Sequence, residues 1–243
     1  MPRIDSPQNP RLKALKKLQT RRGRTGSGRF AAEGEDLVEA AARAGCEPLD
    51  GYRLAGSGLG GAGFHDVAPA ALAAASALGS SSRVIGVYEQ RWGTPSGPLC
   101  LYLHGVGDPG NVGTVLRSAQ AFGASCVALG PGCADPHSPK AVRASMGAIF
   151  AVELARAAGV DELPGERIAL SPSAEEVLHG PLPDGGEGVT LLVGAEREGL
   201  PAELVEACER HARIPIASES LNAAMAATVA LYEMTRRASR VPG

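Results

Sequence analysis

At 243 residues the chain suits one large domain or two smaller ones, with ample material for a core. No apolar run reaches membrane-spanning length, and the basic N-terminus lacks the apolar segment of a secretory signal, so neither is expected. The net charge of −2 hides an asymmetry: residues 1–30 hold nine Lys/Arg against Asp5 alone, a balance of +8, and the remainder carries −10.

A basic arm on an acidic body points to a polyanion met at that end, a solvated helix face being the plain alternative. Asn9 and Pro10 supply a cap and a first helical position. The helix that follows places Leu12, Leu15 and Leu18 inward and Lys13, Lys16 and Lys17 outward. Arg21–Gly28 reads as a basic, flexible link. A strand is expected over Arg29–Glu33, a helix over Asp36–Ala44 and a strand over Leu49–Leu54. A glycine-rich loop spans Gly56–Gly63, with a helix over Pro69–Leu78 and a strand over Arg83–Tyr88. Together these form a small βαβαβ layer, a plausible domain over residues 1–92, and the Gly/Pro-rich residues 93–98 form a linker.

From Leu99 strand and helix keep alternating. Strands are expected at Leu99–Leu103, Ser125–Leu129, Ala151–Leu154, Ile168–Leu170, Val189–Val193 and Ala212–Ile216. Helices are expected at Asn111–Phe122, Lys140–Ala148, Ala174–Leu178, Pro201–Glu209 and Leu221–Arg237. Residues 99–243 therefore read as a parallel-sheet α/β domain without internal repeats.

Three segments of this domain carry polar groups beside tight turns at the carboxyl ends of predicted strands, where open α/β sheets bind ligands. The first holds Asn111 and Arg117, an amide and a fixed-charge fork. The second, after Val193, places Glu196 between Gly194 and Gly199. The third runs from Ile214-Pro215-Ile216 to Ser220-Leu221-Asn222, which cap a helix of small residues. Each alone is ordinary turn chemistry; all three converge on one crevice. Gly105–Gly110 also fits the dinucleotide pattern G-x-G-x-x-G. The second strand, however, ends in Gly130-Pro131-Gly132 with no acid before Asp135, and Pro109 removes a phosphate-facing donor. The five cysteines show no C-x-x-C pair and no ligand spacing with His, which fits a reducing cytoplasm and no metal site.

The stretches D-P-G-N-V-G-T-V-L-R-S-A (108–119), G-A-E-R-E-G-L (194–200) and I-P-I…S-L-N-A-A-M-A (214–226) resemble the three motifs of the SpoU (TrmH-like) family. These are S-adenosylmethionine-dependent RNA ribose 2′-O-methyltransferases of the SPOUT superfamily. The resemblance covers Leu99 to about Arg237. Asn9-Pro10 and Phe30–Gly34 resemble, more loosely, the ribosomal-protein-like substrate-binding domain of many members. The resemblance implies a SPOUT domain with a deep trefoil knot, a homodimer with its active site at the interface, and S-adenosylmethionine without metal. It assigns Arg117, Asn111, Glu196, Ser220 and Asn222 to catalysis, and Gly194, Ala195, Gly199, Ile214, Ile216, Leu221 and Ala223 to the cofactor. Lys140, Arg143 and Ser145, in a stretch that also looks family-like, join Arg117 as RNA contacts, with Lys13, Lys16, Arg21 and Arg22 on the basic arm.

The chemistry is in-line attack of a ribose 2′-oxygen on a sulfonium methyl, which needs alignment and removal of a hydroxyl proton. The family proposal makes Arg117 the base, yet a guanidinium keeps its proton far above neutral pH. A split role fits better, with Arg117 fixing the target phosphate and stabilising alkoxide charge. As a base it would need Ser220 and a dry interface to lower its proton affinity. His104 stands where the family commonly has Asp and is given no role; the short link from Ile216 to Ser220 also departs from the pattern. The two-domain layout favours large-subunit rRNA over tRNA, with an antibiotic-resistance rRNA methyltransferase as a relative reading. A non-catalytic RNA-binding or assembly factor and a nucleotide-dependent oxidoreductase are the rivals from other classes.

Overall fold

A computed structural model describes residues 2–77, 82–180, 188–218 and 220–236. The chain divides into two compact units: residues 1–91 with 135–151, and residues 92–134 with 152–243. A single cut at the linker does not describe this division, because Asp135–Ala151 packs with the N-terminal unit.

In that unit α1 (Pro10–Lys17) begins under Asn9, whose side chain accepts from the Arg11 N–H at 2.9 Å. Leu12, Leu15 and Leu18 are buried, as the spacing predicts. The expected flexible link is instead a helix, α2 (Arg21–Ser27), closed by Gly28 at φ 65°. Thr20 caps it by accepting from the Gly23 N–H, and Arg24 anchors it. Arg24 is 3% exposed; its guanidinium donates to Asp135 at 2.8 Å and to the Leu18 carbonyl at 2.8 Å. A buried ion pair thus overrides the poor helix propensity of two glycines.

The sheet of this unit holds β1 (Arg29–Glu33), β2 (Asp50–Leu54), β3 (His65–Val67) and β4 (Val84–Glu89), in the order β1-β4-β2-β3. Strand β3, three residues long, carried no signal in the sequence. β4 runs antiparallel to both neighbours, so the layer is mixed. Helix α3 (Glu35–Arg43) falls where expected; α4 (Pro69–Ala75) stops short of its expected end at Leu78, itself outside the described residues, because Ser76 turns to extended backbone. Past α5 (Pro109–Ala121) of the second unit, α6 (Pro139–Ala144) packs on β1. Left-handed backbone at Met146 (φ 49°) and Gly147 (φ 95°) ends α6 four residues earlier than expected.

Removing the Arg24 side chain leaves Asp135, 16% exposed, without its partner. Arg24→Ala should destabilise this unit by about 3 kcal/mol, toward the low end for a broken buried pair. Hydrogen exchange across α2 and residues 135–151 checks this, and unchanged protection there refutes it.

The second unit is built on a seven-stranded sheet, β7-β6-β5-β10-β8-β11-β9, with every described pairing parallel. Its strands are β5 (Leu99–Leu103), β6 (Cys126–Leu129), β7 (Glu153–Arg156), β8 (Glu166–Leu170), β9 (Glu176–Val177), β10 (Val189–Val193) and β11 (Arg210–Arg213). β5, β6 and β10 are buried along their whole length, as covered parallel strands are. Within residues 174–178, expected as a helix, Glu176 and Val177 form the short edge strand β9 against β11, and Glu176 takes an ion pair from Arg210. β7 begins two residues later than the expected strand, and β11 ends at Arg213, which leaves Ile214 and Ile216 in a loop. Helices α5 (Pro109–Ala121), α7 (Ala202–Glu206) and α8 (Ala223–Thr235) complete the unit; Arg237 lies outside the described residues. α8 packs on α5 and β10.

Candidate active site

The loops after β5, β10 and β11 meet at the carboxyl edge of the parallel sheet. After β5, Pro109 opens α5 and Asp108 caps it, its carboxylate accepting from the Asn111 N–H at 3.0 Å. This fixes Asn111 in the first helical turn. Its side-chain amide donates to Glu196 in the loop after β10 and accepts from the Asn222 amide at 3.1 Å. Asn222, rather than Ser220, caps α8: its Oδ1 accepts from the backbone N–H groups of Ala224 (3.0 Å) and Met225 (3.3 Å). One amide chain, Glu196–Asn111–Asn222, therefore ties the three loops together. A second tie runs between helices, where Ser118 and Thr228 hydroxyls meet at 2.6 Å.

Beside this chain lies a cleft of about 330 Å³. All seven residues expected to hold a cofactor line it: Gly194, Ala195, Gly199, Ile214, Ile216, Leu221 and Ala223. Glu196 and Ser220 line it as well. Sequence reasoning missed the wall from the end of β8, Leu170-Ser171-Pro172, and also Leu200. The signal available was Ser-Pro directly after an apolar run, the same punctuation that marked the other loops.

The loop is shaped by two different glycine requirements. A side chain at Gly194 would strike the backbone of Gly199 and Leu200. Gly199 instead stands at φ 69°, and its N–H donates to the Ala195 carbonyl at 2.9 Å. The outcome is a narrow turn with backbone at the cleft surface, flanked by small residues on α8.

Arg117 lies on the exposed side of α5, six residues beyond Asn111, and its side chain forms no hydrogen bond or ion pair with a described residue. It is not part of the amide chain. At the end of β5, burial lowers His104 below its ordinary value and pushes the Tyr102 phenol up to about 12, so both are neutral at pH 7. No group of three or more His, Cys, Asp or Glu among the described residues could hold a metal.

The expected RNA contacts divide. Lys13, Lys16, Arg21 and Arg22 are exposed on α1 and α2, and Lys140 and Arg143 are exposed on α6. Ser145 is fully buried and its hydroxyl donates to the Val142 carbonyl at 2.7 Å, so it closes α6 rather than facing RNA.

Residues 9–50 match the MRM3-like substrate binding domain, and residues 98–232 match the SpoU rRNA Methylase family. The chain is 31% identical to the 23S rRNA (guanosine(2553)-2′-O)-methyltransferase RlmP of Bacillus subtilis, over 96% of this chain and 99% of that one. An AdoMet-bound rRNA methyltransferase from Sinorhizobium meliloti superposes with a TM-score of 0.83 at 30% identity, covering 96% of each chain. The SpoU methyltransferase AviRb from Streptomyces viridochromogenes, in complex with AdoMet, superposes at 0.80 with 25% identity, covering 93% of this chain and 97% of that one. The three loops, the glycine-walled cleft and this match along most of the length lead to one conclusion: the chain belongs to the SpoU rRNA methylase family.

Proposed function

We propose that this protein transfers a methyl group from S-adenosylmethionine to a ribose 2′-hydroxyl of structured RNA, large-subunit rRNA being the favoured substrate. The observation that carries this reading is the cleft of Gly194, Ile214 and Leu221 abutting the Glu196–Asn111–Asn222 chain. The cleft's mixed lining suits the cofactor: apolar Ile214, Ile216 and Leu221 for a flat base, and bare backbone at Gly194 for polar edges.

S-adenosylmethionine supplies, when bound, a sulfonium methyl whose transfer leaves a neutral thioether. The chain's own residues must exclude water, align the incoming ribose and stabilise its oxygen as the proton leaves. Ile214, Ile216 and Leu221 keep the pocket dry. Asn111, Glu196 and Asn222 hold the three loops in register, and Ser220 stands at the cleft with its side chain free to reach substrate. Arg117, charged at neutral pH, holds the target phosphate and the developing negative charge on the 2′-oxygen. The Arg117 guanidinium has no hydrogen-bond or ion-pair partner among the described residues, which supports that assignment.

Two architectural readings accompany the function. The protein acts as a homodimer: α8 exposes Met225 (62%), Val229 (41%) and Tyr232 (55%) at helical spacing, an apolar stripe suited to a second copy. The C-terminal segment is threaded as a trefoil knot. β11 is separated from β10 by β8, yet the α8 that follows it returns to pack on β10 and α5. We further propose a cytoplasmic location, where ribosomal RNA and the cofactor meet; no described helix is long and apolar enough to cross a membrane.

The basic residues of α1 and α2 grip the RNA. Because residues 135–151 pack with the N-terminal unit, truncation at residue 92 would strip their cover, and charge reversal is the cleaner test. Incubation with methyl-labelled S-adenosylmethionine and total RNA should place label at a single 2′-O position of large-subunit rRNA. Label confined to tRNA would overturn the rRNA assignment, and cofactor binding without transfer would favour an assembly factor. Lys13→Glu/Lys16→Glu/Arg21→Glu/Arg22→Glu should weaken RNA binding and flatten its salt dependence.

A further inference from the structure

The N-terminal unit holds a cavity of its own, about 540 Å³, within the range of small-ligand sites of about 300–1,000 Å³. It opens among α1, α2, β2 and β4, against Leu15, Leu18, Gly23, Gly26, Tyr52 and Val87. Its polar interior atoms are already engaged. The Asp50 carboxylate accepts from the Tyr52 hydroxyl at 2.6 Å, the Gly51 N–H at 3.0 Å and the Arg11 guanidinium at 3.1 Å, and His65 Nε2 lies 3.2 Å from it. The Thr20 hydroxyl donates to the Lys17 carbonyl and accepts from the Gly23 N–H. Three exposed cations, Lys17, Arg22 and Arg29, also line the cavity, and none forms an ion pair with a described residue.

An inorganic anion would use the cations and leave the apolar hollow empty. A purely apolar ligand would fill the hollow and leave three charges idle. A nucleotide uses both, because it joins a flat ring to a phosphate. We propose that this cavity receives one unstacked nucleotide of a single-stranded RNA segment, the base against Leu15, Leu18 and Tyr52 and the phosphates against Lys17, Arg22 and Arg29. Since the interior hydrogen-bonding atoms are spent, the base is taken by shape and contact, and all four bases are accepted, purines best. The inference rests on the reading that the N-terminal unit grips RNA, and adds where and in what form.

Gly26 provides the test. It lines the cavity, has no left-handed φ, and a Cβ added there would meet no atom within 4 Å. Gly26→Phe in the full chain therefore sets an aromatic ring at the cavity wall from a Cβ that meets no clash. Binding of fluorescein-labelled adenylate, cytidylate and uridylate hexamers should weaken by about five- to a hundredfold, the effect of losing one stacked base. The unfolding midpoint should not fall, and the slope of log affinity against log salt should hold. Lys17→Glu/Arg22→Glu should instead reduce that slope by about 1.4, two single-strand phosphate contacts. If Gly26→Phe binds hexamers like the parent while the charge reversal weakens them, RNA crosses the surface only, and the cavity assignment is overturned. If neither change matters, the RNA reading of this unit falls with it. Equal displacement of the hexamers by a polyglutamate peptide overturns the nucleotide in favour of an acidic protein partner.

Discussion

Arg117→Ala should reduce methyl transfer by about a hundred- to a thousandfold, the size expected when preorganised charge is removed from a reacting oxygen. The same variant should bind S-adenosylmethionine with unchanged affinity and keep its oligomeric state. The reasons are geometric. Arg117 is exposed on α5, contributes nothing to the cleft lining and holds no other described residue in place. Its loss therefore leaves the Glu196–Asn111–Asn222 chain standing, and stability should change by no more than about 0.5 kcal/mol, as at other surface positions. A role as phosphate anchor and charge stabiliser also predicts how Lys fares. Arg117→Lys keeps the charge but loses the planar fork, so it should recover part of kcat while KM for RNA stays raised. Ordinary turnover by Arg117→Ala in the labelled-methyl assay would remove the residue from the mechanism.

The three loops were legible in the sequence because each followed an apolar run and carried glycine or an N-cap at fixed spacing. Val189–Val193 and Leu99–Leu103 announced buried parallel strands, and Gly194, Gly199 and Asn222 announced the turns. Distances along the chain could not reveal that Asn111 bridges Glu196 and Asn222, because that depends on where the sheet order places β5, β10 and β11. Where the reading failed, tertiary partners decided against local propensity. Arg21–Ser27 looks like a flexible linker until Arg24 finds Asp135, more than a hundred residues away. Residues 174–178 have the composition of a short helix, but Glu176 and Val177 gain more by pairing at an open sheet edge, where β11 offers free backbone. Ser145 resembles a surface contact in a basic stretch; helical phase turns it inward and leaves Lys140 and Arg143 outside.

Gly194→Ala carries the second large effect, on cofactor binding rather than on chemistry. The added carbon would overlap the backbone of Gly199 and Leu200, which cannot rotate away as a side chain would. The turn must open, and it is the wall of the cleft. Overpacking costs roughly 1–3 kcal/mol, and a clash against main chain belongs at the upper end. If that cost falls on the bound conformation, S-adenosylmethionine affinity drops about a hundredfold, since each 1.4 kcal/mol is a factor of about ten. Gly199→Ala is the informative control. There an added side chain meets nothing within 4 Å, and the cost is only that of holding Ala at φ 69°, about 1–2 kcal/mol. Its affinity should fall by a smaller factor than that of Gly194→Ala. Calorimetric titration measures both, and a thermal melt adds a second readout. Saturating cofactor raises the parent's midpoint and should raise that of Gly194→Ala far less, because ligand stabilisation scales with the logarithm of concentration over Kd. Parental affinity in Gly194→Ala would mean that the cofactor lies elsewhere, and the cleft would lose its assigned occupant.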